Sequence, residues 1–213
     1  MKEQYLIDSK RIIFNGNGYS EDWISEAKGR GLDCFASAPY AIEKLISNKA
    51  LNLFSKQNVF TNKELFSRVE VLLDKYVNTI QLESNLMIQA GKDIFLPALN
   101  EYLRTVISIS NEIYSLEIDG LAPKILSQME VLEVSEIVHF KNILILNSRK
   151  LKDKIKEGNR INNPIERSKY FSEEVQLLNN ELRSVLDDLE GRIPNYSIDI
   201  PSYNEILLVN KLN

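Results

Sequence analysis

"TNKELFSRVEVLLDKYVNTIQLESNLMIQA", Thr61–Ala90, decides the fold class. Its first four residues form a capping box, in which the Thr61 hydroxyl and the Glu64 carboxylate reciprocally satisfy backbone N–H groups that a first helical turn leaves unbonded. Behind the box, apolar residues recur at Leu65, Val69, Leu72, Tyr76, Ile80, Met87, Ala90 and Ile94, with Glu83 interrupting the stripe. That recurrence has the period of a helix with one apolar face. Pro97 lacks a backbone donor and crowds the preceding turn, so it is expected to kink or split this helix. The stripe resumes at Tyr102, Val106, Ile109, Ile113 and Leu116.

Downstream the pattern repeats. "DGLAP", Asp119–Pro123, signals a turn. A second helical pattern runs from about Lys124 to Glu157, with Ile125, Met129, Leu132, His139, Ile143, Leu146 and Ile155 on one side. It closes on "RKLKDKIKEG", where cations meet the negative end of the helix dipole and Gly158 offers a C-cap. After "NRINNP", a third helix from about Pro164 carries Phe171, Val175, Leu178, Leu182, Val185 and Leu189. Beyond Gly191, prolines at 194 and 201 break the chain into a tail whose Ile206–Val209 run is apolar enough to require docking.

Upstream, residues 1–60 are divided by Gly16, Gly18, Gly29, Gly31 and Pro39. "RIIF", Arg11–Phe14, reads as a short strand, and Ser20 as the N-cap of a helix that Gly31 would end. Glu21 and Asp22 lie in its first turn and Lys28 in its last, as the helix dipole favours. A second short helix is expected around Pro39, with Ser37 near its cap. The expected architecture is therefore mainly α, an up-and-down bundle of three long helices spanning 61–213, preceded by a small strand-turn-helix segment over 1–60.

Composition narrows the functional classes. Across 213 residues, 30 acidic side chains face 26 basic ones, a formal net charge of -4, so nothing pulls the chain toward nucleic acid or an anionic membrane. No stretch approaches about 20 uninterrupted apolar residues, the length of a membrane span. A single cysteine, Cys34, precludes an internal disulfide and suits a reducing, cytoplasmic setting.

Each candidate for chemistry falls short in sequence. Asn15-Gly16-Asn17-Gly18 resembles a phosphate-cradling loop, but the third glycine of a dinucleotide fingerprint is replaced by Glu21, and no Gly-Lys-Ser/Thr follows. A turn between strand and helix explains it better. Glu136-Ile-Val-His139 is half of a di-iron bundle signature, with Glu83 as a third ligand, yet the chain's one histidine forbids the second half. Cys34 has no histidine near it in sequence. The pairs Glu173-Glu174 and Asp187-Asp188 fall on a polar helix face, and the basic run Arg149–Lys156 complements a helix dipole. No catalytic, cofactor-binding or metal-binding residue is assigned.

Several stretches nevertheless resemble the C-terminal region of type III glutamine synthetases, in order and over nearly the whole chain. They are "RIIFNGNGYSEDWISEAKGRGL" (Arg11–Leu32), Val59–Met87, "IFLPALNEY" (Ile94–Tyr102), "ELRSVLDDLE" (Glu181–Glu190) and "IPSYNEILLV" (Ile200–Val209). Where that family usually reads Trp-Pro-Leu-Pro-Thr-Tyr, this chain has Ile198-Asp199-Ile200-Pro201-Ser202-Tyr203. The resemblance implies company rather than catalysis: an ATP- and Mg2+-dependent ligase of glutamine biosynthesis, which activates glutamate as its γ-phosphate for attack by ammonia, in ring-shaped oligomers. Its catalytic residues lie upstream of the segment this chain resembles, so whether the chain belongs to an enzyme is left open. The expectation is a non-catalytic, assembly-forming region that partners the catalytic domain and copies of itself. Completion of an active site in trans and a stand-alone helical interaction module are the rivals.

Overall fold

The computed structural model describes residue 7, residues 16–115 and 123–194, and residues 197, 198, 201 and 207; of residues 114 and 123–130 only the backbone is described. Among these the chain is mainly helical and contains no strand. The strand expected at Arg11–Phe14, the turn at 119–122 and most of the 202–213 tail lie outside the described residues.

Helix α1 is Glu21–Gly29, started by the Ser20 hydroxyl accepting from the Trp23 N–H and stopped where Gly31 takes φ +70°. Helix α2, Ala38–Glu43, begins at Ser37 with Pro39 in its first turn, and a 3-10 turn follows at Lys44–Ile46. Helix α3 is Asn48–Lys56. Helix α4, Asn62–Ala90, has the capping box predicted for it: Glu64 N–H donates to the Thr61 hydroxyl at 3.3 Å, and Thr61 N–H to the Glu64 carboxylate at 2.8 Å.

The interruption expected near Pro97 takes the form of a π turn at Gly91–Phe95, which leads without a break into α5, Leu96–Ser115. Proline cannot donate to the carbonyl one turn back, and a widened turn just before it absorbs that loss. Helix α6 is Pro123–Gly158. Helix α7, Pro164–Tyr170, is capped by the Asn163 side chain, passes through a second π turn at Phe171–Val175, and continues as α8, Gln176–Arg192.

Side-chain partners fix the directions. Asn100 and Tyr102 on α5 meet Lys141 and Glu133 on α6, so these helices run antiparallel. Helices α6 and α8 do likewise, with Arg192 on Glu136 at one end and Lys154 on Glu174, in the second π turn, at the other. Asp74 on α4 meets Arg167 on α7 at 2.5 Å, and Met87 and Asn179 border one cleft further along, so α4 runs parallel to α7–α8. Between them lies a core in which Leu144, Leu151, Phe171, Val175 and Leu182 are wholly buried. Each such side chain contributes about 1.5–3 kcal/mol relative to exposure.

Two expected faces are rotated. On α4 the buried stripe runs Leu65, Val69, Leu73, Val77, Ile80, Ser84, so Leu73 (1% exposed) rather than Leu72 (42%) carries the contact. On α6 the core takes Ile137, Leu144, Leu151 and Ile155, leaving Leu132, His139 and Leu146 exposed. That helix is apolar on several sides, and its inward seam includes Lys141, bonded to Asn100 at 2.7 Å, and Ser148, beside Gly91. Polar residues in the seam hid it from a hydrophobic pattern.

Gly158 does not end α6 through a left-handed conformation, since Gly31 is the only described glycine with positive φ. It allows the ring of Phe171 to lie against the backbone: a Cβ there would sit 2.5 Å from Phe171 Cε2.

Candidate functional site

The residues singled out for chemistry do not converge. Around Gly16 and Gly18 the chain turns, Asn17 Oδ1 accepting from Tyr19 N–H at 3.0 Å and the Ser20 hydroxyl donating to Asn17 O at 3.0 Å. With Tyr19 and Trp23 N–H groups already bonded to side chains, this turn is not a nest of free donors for a phosphate. Glu136 takes the Arg192 guanidinium at 3.0 Å, while His139 is exposed with its ring edge toward Phe140. Glu83 is exposed on a different helix and Cys34 is exposed on the chain between α1 and α2. Among the described residues no three His, Cys, Asp or Glu side chains group so as to hold a metal ion.

Both acidic pairs lie on an exposed helix face, Asp187 pairing with Arg183 one turn back, and Glu173 and Glu174 also tie helices together. Glu173 accepts from the Tyr40 hydroxyl, and Glu174 pairs with Lys154 at 3.2 Å. Lys154 also reaches Glu157 at 3.4 Å, and Glu157 accepts from the Tyr170 hydroxyl at 2.8 Å. The Glu174 and Glu157 bonds hold the Lys154 ammonium well above its usual range, and the Tyr170 and Lys154 bonds hold the Glu157 carboxyl below its own. Burial first, then the Glu157 bond, pushes the Tyr170 phenol up. All of these keep each group in its resting charge state, the opposite of a poised acid or base. They tie α6 to α7 and to the second π turn.

What the fold does present is apolar surface. A groove of about 710 Å³ opens between α3 and the start of α4, lined by Leu45, Phe54, Phe60, Arg68, Val71 and Leu72. Phe54 and Phe60 meet at 5.6 Å, and the Arg68 guanidinium lies 4.5 Å from the Phe60 ring centroid. Leu53, Val59 and Phe66 are also exposed. An apolar floor with aromatic walls, and Lys63, Glu64 and Arg68 among its lining, suits the surface of another polypeptide.

A smaller cavity of about 240 Å³ at the opposite end, between α5, α6 and α8, is different in kind. Its polar groups satisfy each other, Tyr102 with Glu133 and Arg192 with Glu136, and Arg192 caps the Phe140 ring at 4.7 Å. It closes the helix ends. The α3–α4 groove was missed in the sequence, where Leu72 read as part of the inward stripe and residues 47–60 were given no element; the aromatics at 54 and 60 were the available signal.

The described residues thus define a mainly helical module whose outstanding surface feature is an apolar groove. A family model of the glutamine synthetase C-terminal domain matches residues 1–114. The chain is 33% identical over 211 residues to the type-3 glutamine synthetase of Dictyostelium discoideum, covering 96% of this chain and 28% of that one. It is 29% identical over 208 residues to a glutamine synthetase of Butyrivibrio fibrisolvens (96% and 29%), and 27% identical over 208 residues to one of Bacteroides fragilis (96% and 28%). The chain belongs to the glutamine synthetase C-terminal domain family and corresponds to the C-terminal region of the type III enzymes. It spans less than a third of the length of these relatives.

Proposed function

We propose that this chain is the non-catalytic helical region of a type III glutamine synthetase. In this reading residues 1–60 form a strand-turn-helix junction and residues 61–213 an up-and-down bundle of three long helices, which packs on the catalytic domain and supports a cytoplasmic oligomer. The observation that carries it is the α3–α4 groove, an apolar surface of about 710 Å³ at the junction end. Its occupant is the catalytic part of the synthetase, since the matched relatives contain more than twice as much chain again as is present here. In this reading ATP-dependent ligation of ammonia to glutamate is carried out by the catalytic part.

The test is to mix this polypeptide with the catalytic part of a type III synthetase and follow ATP-dependent glutamine formation and co-elution. The chain alone is expected to form no glutamine and to co-elute with the catalytic part, with Phe60→Glu abolishing co-elution. Glutamine formation by the chain alone, or failure to co-elute, overturns the proposal. A gain of activity on mixing would favour completion of the site in trans, and a well-behaved monomer indifferent to the catalytic part would favour the stand-alone module.

A further inference from the structure

Helix α4 has a second apolar seam that the bundle does not use. Val71 lies two residues from buried Val69 and Leu73, Leu82 two from buried Ile80 and Ser84, and Leu86 two from Ser84 and Ile88. Two residues turn a helix by about 200°, which places all three on the side away from the core. They are 66%, 62% and 56% exposed. The spacing Val71, Lys75, Asn78, Leu82, Leu86 runs in steps of four, three, four and four, as residues on one side of a helix recur. Sequence patterning misses it because a helix is scored for one apolar face.

The seam is complementary to itself when reversed. Laid antiparallel on a copy about a two-fold axis at Asn78 and Thr79, Val71 meets Leu86, and Lys75 meets Leu82 and Glu83 of the copy. Lys75 and Glu83 are exposed, opposite in charge and in no ion pair with another described residue. A parallel copy would instead stack Lys75 on Lys75. Isologous two-fold contacts require this reversal symmetry of one patch. We infer that the outer face of α4, Val71 to Leu86, is an antiparallel two-fold contact between two copies of this chain. The inference rests on the proposal that the chain assembles with copies of itself, and it uses a face distinct from most of the α3–α4 groove.

Cysteine cross-linking of the 213-residue chain tests it. In a Cys34→Ser background, Thr79→Cys is expected to form a covalent dimer on mild oxidation, whereas Gln89→Cys is not, since the two copies of position 89 would stand about 30 Å apart at 1.5 Å per residue. Leu82→Glu with Leu86→Glu, added to Thr79→Cys, should reduce cross-linked dimer at least tenfold while the circular dichroism of the helices is retained. Cross-linking at 89 rather than 79, equal cross-linking at both, or Thr79→Cys dimers insensitive to the glutamates would each overturn the contact. Co-elution with the catalytic part, measured on the Cys34→Ser, Thr79→Cys chain, separates the two proposals: co-elution without cross-linking at 79 removes the two-fold contact and leaves the assignment to the synthetase intact.

Discussion

At the scale of single residues, the glycines separate conformational need from spatial need. Gly31 is where an L side chain would be strained, at φ +70°, and Gly158 is where one would collide. A methyl at 158 would press 2.5 Å from Phe171 Cε2 and 3.0 Å from Tyr170 Cδ1, and Phe171 is wholly buried and has no room to retreat. Gly158→Ala is expected to cost about 1–3 kcal/mol through overpacking, lowering Tm by several degrees. Gly191→Ala, with nothing within 4 Å of its Cβ, should leave Tm unchanged or slightly raised. Thermal unfolding of the two variants side by side checks the contrast. The same scale shows how Glu136 and His139 are used: Arg192 claims the Glu136 carboxylate, and His139 is exposed beside Phe140.

Elements were legible to the extent that local chemistry determines them. Ser20, Thr61 and the Asn163-Pro164 pair mark helix starts in the sequence and in the fold alike, because a cap is a contact within four residues, whereas Ser37 starts α2 with no side-chain cap bond. The π turns at Gly91–Phe95 and Phe171–Val175 were not legible as such, since each answers to tertiary packing: the second turns both Phe171 and Val175 fully into the core. The inward faces of α4 and α6 needed the same information, for buried Ser84 bonds the Ile80 carbonyl and Lys141 bonds Asn100, polar residues a hydrophobic count rejects. The Thr61 cap itself predicts a pH dependence. The Thr61 backbone N–H, then its hydroxyl, holds the Glu64 carboxyl below its ordinary value. A depressed carboxylate stabilises the fold above its unfolded pKa, near pH 4, and the contribution is lost as pH falls through the lower folded value. Glu64→Ala should therefore be less stable than the parent at pH 7, the gap closing toward pH 3 in denaturant titrations. Thr61→Ala, which removes the hydroxyl acceptor, should cost about 1 kcal/mol at neutral pH.

At the scale of the whole molecule, α1–α3 and the helical core are joined mainly through α2. Ser37 meets Ser172 at 2.5 Å, Tyr40 donates to Glu173, and Lys169 pairs with Glu43 at 2.8 Å while lying 4.8 Å from the Tyr40 ring centroid. These contacts are polar and partly or wholly exposed, whereas the core that holds α5, α6 and α8 together is apolar and sealed. Local opening should follow that difference, with α1–α3 released at lower free energy than the bundle. The Glu173 bond, then burial, raises the Tyr40 phenol, so its contribution is full below the unfolded pKa near 10 and is lost as pH rises through the higher folded value. Tyr40→Phe combined with Glu43→Gln is expected to speed amide exchange in Ala38–Lys56 several-fold and to leave Leu144–Ile155 and Gln176–Leu189 unchanged. Hydrogen-exchange mass spectrometry reads both sets at once. Equal acceleration across the bundle would mean that α2 is part of one cooperative unit, and the groove between α3 and α4 would then be as rigid as the core instead of a wall able to adjust to its partner.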